Sequence, residues 1–350
     1  MTDQRLASHQ TIPETALAWA RSGRGAALAT VIDTWGSAPR PVGSQLAISG
    51  EGEIAGSVSG GCVEGAVVAE AVEAIGDGKG RLMRFGVSDD DAFAVGLACG
   101  GEIRVLLEPV GTALPERVLS AVVEARAARQ PVAVATRFSA LENSSNDVAL
   151  AYELSHDLLT YDELPQRFDA DRSGHDADAP GRFLTLHSPP LRMAIIGGVH
   201  IAQPLSRMAR ETGYDVTIID PREAFASPDR FPGETILHDW PDAALRAHGL
   251  DIRTAVVLLT HDPKLDDPAL IEALGSDAFY IGALGSTRTH AKRRERLEAA
   301  GLSPERIARI DAPVGLDIGA RSPAEIAVAV LAEMTLRLRR PETRPGRAET

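Results

Sequence analysis

The chain has 350 residues, 44% of them hydrophobic and 24% charged, a globular composition that at this length points to two domains. A formal net charge of -13 excludes general binding to nucleic acid or to an anionic membrane surface. No apolar run reaches the ~20 residues of a membrane span, the first residues lack the apolar core of a signal peptide, and two cysteines make neither a disulfide framework nor a zinc knuckle, so a reducing cytoplasm is the expected setting.

Aromatic residues are only 4% of the chain, so its cores rest on Val, Leu, Ile and Ala. A short helix is predicted over 14–21 and a buried strand over 26–32. The glycines and prolines of 33–43 read as a loop. A strand over 45–48, a turn at Gly50 and Gly52, and a strand over 53–58 form a hairpin. Then comes Ser57-Val58-Ser59-Gly60-Gly61-Cys62-Val63-Glu64. Val63, Val67, Val68, Ala71, Val72 and Ile75 follow at helical spacing. A helix beginning near Ser59 or Gly61 puts Cys62 in its first turn, among backbone N–H groups with no partner inside the helix. Such a position favours negative charge, either a thiolate or an anionic ligand. The plainer alternative is a buried structural cysteine.

The second cysteine stands in Gly96-Leu97-Ala98-Cys99-Gly100-Gly101, just before a strand carrying Ile103, Val105 and Leu107. Two thiols, each beside a Gly-Gly pair, point to one shared cleft, since glycine lets a backbone turn sharply or approach a ligand closely. A strand is predicted over 131–136. From 139 to 190 the chain reads as an acidic, flexible linker, with polar runs such as 169–178 too poor in apolar residues to build a core. His156, His175 and His187 in that stretch read as solvated.

After Pro190 strands and helices alternate, which implies a parallel sheet with helices on its faces. A strand over 193–196 leads into Gly197-Gly198-Val199-His200-Ile201-Ala202, a helix to Thr212, and a strand over 215–219 ending at Asp220. This is the layout of a Rossmann dinucleotide unit: tight turn, helix N-terminus, then an acid placed for a ribose. Val199 stands where the second fingerprint glycine belongs. A β-branched side chain there crowds the pyrophosphate, so the pattern supports the fold more than tight NAD binding. Further strands over 255–259 and 278–281 end in the loops Thr260-His261-Asp262-Pro263-Lys264 and Gly282-Ala283-Leu284-Gly285-Ser286. Ligands bind beyond the carboxyl ends of such strands, so Gly197, Asp220, His261 and Gly282 should meet at one crevice edge. Arg288, Lys292, Arg293 and Arg294 follow on the next helix; they are candidates to help hold a phosphate, but most read as a solvated helix face. His200, His261 and His290 lack partners at metal-ligand spacing, so no metal site is expected. Ser322-Pro323-Ala324-Glu325 is a capping box with proline at the first helical position, and Ile326, Val330, Met334 and Leu338 give that helix a core stripe.

With these stretches in hand the chain resembles the XdhC/CoxI family, accessory and maturation factors for xanthine dehydrogenase and carbon monoxide dehydrogenase. The resemblance runs through 36–43, 56–64, 84–87 and 96–101 in the first part, and through 197–202, 220–222, 259–264, 281–286 and 315–320 in the second. It implies an α/β chain with an N-terminal mixed α/β domain bearing two cysteines (1–138) and a C-terminal Rossmann-like doubly wound parallel-sheet domain (191–340); composition alone marks the linker between them (139–190) and a disordered tail (341–350). It also implies a chaperone, more a maturation factor than a turnover catalyst. Such a protein binds the molybdenum cofactor, as molybdopterin or its dinucleotide form, and protects it while the terminal sulfido ligand is installed. It then passes the cofactor to a molybdenum hydroxylase apoenzyme, with a sulfur donor of the cysteine desulfurase type as second partner and a homodimer as the family's assembly.

The family's cysteine positions fall on Cys62 and Cys99, which either ligate molybdenum or relay sulfur as a persulfide. The expected cofactor-binding residues are Ser59, Gly60, Gly61, Cys62, Cys99, Gly100 and Gly101 in the first domain. In the second they are Gly197, Gly198, His200, Asp220, His261, Asp262, Gly282, Gly285 and Ser286, where NAD(P) or another nucleotide is the competing ligand. An NAD(P)-dependent oxidoreductase and a docking scaffold without cofactor are the alternative functions.

Overall fold

Antiparallel pairing organises the first half of the chain. The computed structural model describes residues 11–38, 40–86, 101–140, 146–155, 164–177, 179 and 181–345, and divides into two compact units at Pro189/Pro190. In chain order the first unit contains α1 (Ile12–Arg21), β1 (Ala26–Trp35), β2 (Gln45–Ser49), β3 (Ile54–Gly56), α2 (Glu64–Asp77), β4 (Gly80–Phe85) and β5 (Glu102–Pro109). These are followed by α3 (Glu116–Ala127), β6 (Val132–Ala140), β7 (Asp147–Ser155), α4 (Leu164–Asp169), β8 (Gly174–His175) and β9 (Arg182–His187).

Among the described residues the strands form one sheet in the order β3-β2-β1-β5-β4-β7-β6-β9-β8. Alternation along β1 explains its place near the centre. Ala27, Ala29 and Val31 face α2 with Leu46, Ile48, Ile103 and Val105, whereas Leu28 turns to α1 and α3. The strand runs beyond the predicted 26–32. Asp33, Thr34 and Trp35 pair with Arg104, Ile103 and Glu102 after a register shift between Val31 and Asp33. Such a bulge bends a strand and re-aims its side chains.

The stretch read as a flexible linker is a correction. β7 pairs with β6 over Ala133–Ala140, β9 pairs with β6 from Val132 to Arg137, and β8 adds to β9. The polar runs hid these strands because one strand face needs only a few apolar residues. Phe183 and Val148 supply an inner core with Ile32 and Leu106. The sheet curls until β8 returns to β1. Beneath α3 the interior is polar: Gln45 donates to Thr30 Oγ1 at 3.1 Å and Tyr152 donates to Glu108 Oε1 at 2.7 Å. A cavity of about 20 Å³ lies there, lined also by Thr136, Thr185 and His187. His187 was expected in solvent but is buried; His175 is exposed as expected and also hydrogen-bonded to Asp33, and His156 lies outside the described residues.

The second unit contains β10 (Leu191–Ile196), α5 (Ala202–Glu211), β11 (Tyr214–Ile219), β12 (Thr235–Leu237), α6 (Pro241–His248), β13 (Thr254–Leu258) and α7 (Pro263–Leu274). Then come β14 (Tyr280–Ala283), α8 (Thr287–Ala299), α9 (Pro304–Ile307), β15 (Ile310–Asp311) and α10 (Pro323–Arg339). The sheet order is β12-β11-β10-β13-β14-β15, with parallel pairing throughout. Counted from the unit's own first strand, this is the Rossmann order, with the switch point at β10. Both faces are covered, so β13 is buried at every residue. One core joins β10 and β11 to Leu205 of α5 and to Val330, Met334 and Leu338 of α10. The other joins Ile196 and Leu258 to α6, α7 and Leu297 of α8.

The capping box at Ser322 and Glu325 is present. The tail read as disordered begins instead with a single 3-10 turn, Pro341–Thr343, and Arg344 Nε donates to the Arg337 carbonyl at 2.9 Å. Among the described residues no helix is long and apolar enough to cross a membrane.

Candidate functional site

The Gly60-Gly61-Cys62 loop is held from both ends. Val58 and Val63 are fully buried in the core that also contains Ile103, which leaves Gly60, Gly61 and Cys62 exposed between them. The helix starts later than expected: Val63 is its N-cap and Glu64 its first residue, so Cys62 precedes α2 rather than lying in its first turn. The Glu64 side chain turns back into the loop. Its Oε1 accepts from the N–H of Val58 at 3.2 Å, of Ser59 at 2.9 Å and of Gly60 at 3.1 Å, and from Ser57 Oγ at 2.8 Å. Its Oε2 accepts from Gly61 N–H at 2.9 Å and from the Ser59 hydroxyl. Ser59 Oγ in turn accepts from the N–H groups of Cys62 and Val63, each at 3.0 Å.

Burial raises the Glu64 carboxyl pKa, but the hydrogen bonds from Ser59 and Ser57 outweigh it and bring it to about 2. The expectation that these amides await an external anion is thereby corrected, because the chain's own carboxylate fills them. Gly61, at φ +114, supplies a conformation a side chain would resist. What the loop offers is one exposed, free thiol on a fixed backbone.

Cys99 and Gly100 lie outside the described residues, and with them the expected shared cleft. Gly101 is described and buried. A Cβ on it would meet the carbonyl oxygens of Ser37 at 2.7 Å and Trp35 at 2.9 Å, so only glycine fits where β5 leaves the Trp35 end of β1. An open cavity of about 1160 Å³ flanks the first two turns of α2, lined by Trp35, Ala66, Ala69, Arg84, Glu102 and Arg104.

In the second unit the carboxyl ends of β10, β11 and β13 do converge. A Cβ on Gly197, at φ +103, would lie 2.4 Å from Thr260 Cγ2, and one on Gly198 would lie 2.4 Å from the Phe225 carbonyl oxygen. Gly198 N–H donates to Asp220 Oδ2 at 2.9 Å. Asp220 is completely buried and is closed off by Arg222, which donates from its backbone N–H at 3.0 Å and its guanidinium at 2.8 Å. Burial pushes the Asp220 carboxyl up, but the bonds from Arg222 and Gly198 hold it below the usual range. The Arg222 guanidinium also lies 4.0 Å over the Phe225 ring. The acid read as a ribose ligand is thus engaged within the chain. Val199 packs its side chain against the core.

Other expected ligands also have internal work. Asp262 caps α7 by accepting from Lys264 N–H at 3.0 Å, and Ser286 caps α8 by accepting from Thr289 N–H at 3.2 Å. Gly282 is a buried β14 residue rather than a loop residue; a Cβ there would strike Val314 at 2.6 Å. Gly285, at φ +137, turns the chain into α8. His200 and His261 remain exposed, His261 with the unusual φ of +51.

Arg293 of α8, expected on a solvated face, is almost wholly buried. It donates to the Leu284 carbonyl at 2.8 Å and lies 3.5 Å from Asp266, whose other oxygen accepts from Thr260 Oγ1 at 2.5 Å. Burial holds the Asp266 carboxyl above its usual range and the Arg293 guanidinium below its own. Among the described residues no cluster of His, Cys, Asp and Glu has the arrangement of a metal site.

Sequence reasoning missed the Asp33–His175 pair, 2.9 Å apart, because its members lie in a presumed loop and a presumed linker. A short β-branched and aromatic run continuing β1 through Thr34 and Trp35 was the available signal.

An antiparallel unit presenting a thiol, joined to a unit with Rossmann strand order and turn, defines a two-domain α/β protein of the cofactor-handling class. The XdhC and CoxI family model matches residues 19–86 and the XdhC Rossmann domain model matches 193–334. The chain is 34% identical over 326 residues to the molybdenum cofactor insertion chaperone PaoD of Escherichia coli, covering 93% of this chain and 87% of the relative. It is 28% identical to a probable xanthine dehydrogenase subunit of Bacillus subtilis, over 88% of this chain and 92% of that one. A Bacillus halodurans crystal structure described as a xanthine dehydrogenase superposes with a TM-score of 0.73 at 27% identity, covering 93% of this chain and 95% of that one. The chain belongs to the XdhC/CoxI family.

Proposed function

We propose that this protein is a molybdenum-cofactor chaperone. On this reading it holds molybdopterin or its dinucleotide form, shields it during sulfuration and delivers it to a molybdenum hydroxylase apoenzyme. The observation that carries the reading is Cys62, an exposed free thiol on a loop whose backbone is fixed by Glu64 and Ser59. A thiolate suits molybdenum, and a rigid loop presents it without an ordering cost on binding. The loop does not suit the cofactor's phosphate, because the amides of 58–61 already serve Glu64. The cavity beside the first turns of α2, about 1160 Å³ with Trp35 and Arg104 in its wall, has the volume for a pterin. The similarity to PaoD over nearly the whole chain supports the same reading.

Its partners would then be the apoenzyme and a cysteine desulfurase-type sulfur donor, with a homodimer as its assembly. The alternative of an NAD(P)-dependent oxidoreductase is disfavoured by Asp220, whose two oxygens are taken by Arg222 and Gly198. The test is cofactor analysis of protein purified from cells that make molybdopterin, read as the fluorescent oxidised pterin. Wild type should carry the pterin, and Cys62→Ala and Cys99→Ala should lose most of it. Equal loading of wild type and a folded Cys62→Ala variant would remove the assigned role of that thiol.

A further inference from the structure

A second cavity in the first unit, about 770 Å³, lies between the Trp35 end of β1 and the segment from α4 to β8. The segment is docked tightly: a Cβ on Gly43 would meet Ser173 Cβ at 2.6 Å. Into this cavity projects His175. Its Nε2 is 2.9 Å from Asp33 Oδ1, while Asp33 Oδ2 accepts from Arg104 Nη1 at 3.0 Å. The carboxylate is therefore balanced by Arg104 and fixes the ring's orientation, with Nε2 as the donor. Phe183 and Phe138 pack edge-on against the imidazole at centroid distances of 5.3 and 6.5 Å. The bulge after Val31 is what turns Asp33 toward His175.

Two arginines line the same space. Arg167 donates to the His175 carbonyl at 2.7 Å, and Arg172 is exposed, with no ion-pair partner among the described residues. Among the described residues of the wall Asp33 is the only acid, and it is already matched by Arg104.

We propose that this cavity is an oxyanion site that takes a phosphate group, free or as a monoester, with His175 and Arg172 as its binding residues. Nδ1, the ring nitrogen left to the cavity, donates to an oxyanion when the imidazole carries both protons. A guanidinium supplies paired donors to phosphate oxygens. A tetrahedral oxyanion offers oxygens in several directions, which matches donors arriving from β8 and from the turn after α4. In a chain of net charge -13 an anion needs such a local arrangement to overcome the surrounding field. The proposal stands on the first unit alone and does not depend on the molybdenum reading.

Calorimetry on the full chain tests it, with inorganic phosphate in one arm and phenyl phosphate in the other. Saturable binding in either arm is expected, and the tighter arm tells free phosphate from the ester. Arg172→Gln and His175→Asn should each weaken it by about tenfold, the loss of one charge-assisted hydrogen bond. Arg172 is exposed, so its variant keeps the fold and remains informative if His175→Asn does not. Nitrogen-15 spectra of the His175 ring should show Nε2 protonated in wild type, and a mixture of Nε2- and Nδ1-protonated rings in Asp33→Asn. Absence of saturable heat from folded protein at tens of millimolar in both arms, or unchanged affinity in Arg172→Gln, would overturn the proposal.

Discussion

Gly61 donates its N–H to Oε2 of Glu64 at 2.9 Å, so a helix's first residue closes the loop that precedes the helix. The same carboxylate serves Val58, Ser59 and Gly60, and this reverses the usual expectation for a glycine-rich loop before a helix. Instead of waiting for a ligand's phosphate, the amides are satisfied, and the one group left to outside chemistry is Cys62. Rigidity and the exposed thiol are two results of one carboxylate.

Glu64→Gln is therefore expected to destabilise the first unit and to loosen Cys62. With a folded pKa of about 2 against 4.5, the carboxylate's contribution is present above about pH 4.5 and is lost as pH falls toward 2. Allowing for solvent screening, the loss should be about 1–2 kcal/mol. Urea unfolding followed through Trp19 and Trp35 measures it. A thiol-reactive dye should also label Cys62 at a different rate in the variant, and identical rates would count against the loop's rigidity.

A buried acid produces the opposite pH dependence deeper in the same unit. Glu108 is held by Tyr152, and burial raises its pKa to about 7. Its contribution is full below about pH 4.5 and is lost as pH rises through 7, a change of about 3 kcal/mol. His187, in the same polar interior, is pushed down to about 3 by burial and by Arg126, so its contribution is present above about pH 6.5 and fades toward pH 3. The two slopes oppose each other between about pH 4.5 and 6.5, which makes wild type a poor reporter there. Glu108→Gln isolates the acid: it should match wild type near pH 5 and exceed it by about 2–3 kcal/mol at pH 8. A difference curve that is flat across this range would place Glu108 in solvent.

How much of this was legible depended on how local each signal was. The Rossmann half was readable because a doubly buried parallel strand needs a continuous apolar run, as in Thr254–Leu258, and because Gly197 and Asp220 sit at characteristic places around one helix. β7, β8 and β9 were missed because their stability comes from pairing with distant strands and from single inward residues such as Phe183, while their outward faces are polar. At the site, the residue types were readable but their occupancy was not. Asp220, Asp262, Ser286 and Glu64 all have ligand-like positions, and in each the side chain is spent on the chain's own backbone or on Arg222. Which of two N–H acceptors wins is a matter of geometry over a few ångströms, and spacing in the sequence does not encode it.

Gly198 is a sharper test of backbone approach than Gly197. An added methyl at Gly198 meets the Phe225 carbonyl at 2.4 Å, which is backbone, whereas at Gly197 it meets the methyl of Thr260. Gly198→Ala should cost about 2–3 kcal/mol, in the range for overpacking of a fixed interior. Gly197→Ala should be partly rescued by Thr260→Ser, which removes the clashing methyl but leaves the φ of +103. Thermal unfolding of the single and double variants measures both effects, and full additivity of the Gly197 and Thr260 changes would contradict the contact.

Asp220 and Arg222 give the last prediction, because removing the arginine opens what it now closes. Arg222→Ala leaves a fully buried carboxylate with only the N–H groups of Gly198 and residue 222 as donors, so the second unit should lose about 2–4 kcal/mol. Part of that loss should be pH-dependent. With Arg222 present the folded carboxyl is held below its usual range, so its contribution appears as pH rises above the unfolded value near 3.8 and is lost at lower pH. Without Arg222 burial dominates and the slope should reverse. Asp220→Asn in the Arg222→Ala background should then recover stability at neutral pH, because an amide is buried more cheaply than a lone charge. Denaturant unfolding of the single and double variants at pH 5 and pH 8 separates these cases. If Arg222→Ala has no effect at either pH, Asp220 is not closed by Arg222, and its place as a ligand for a nucleotide ribose reopens.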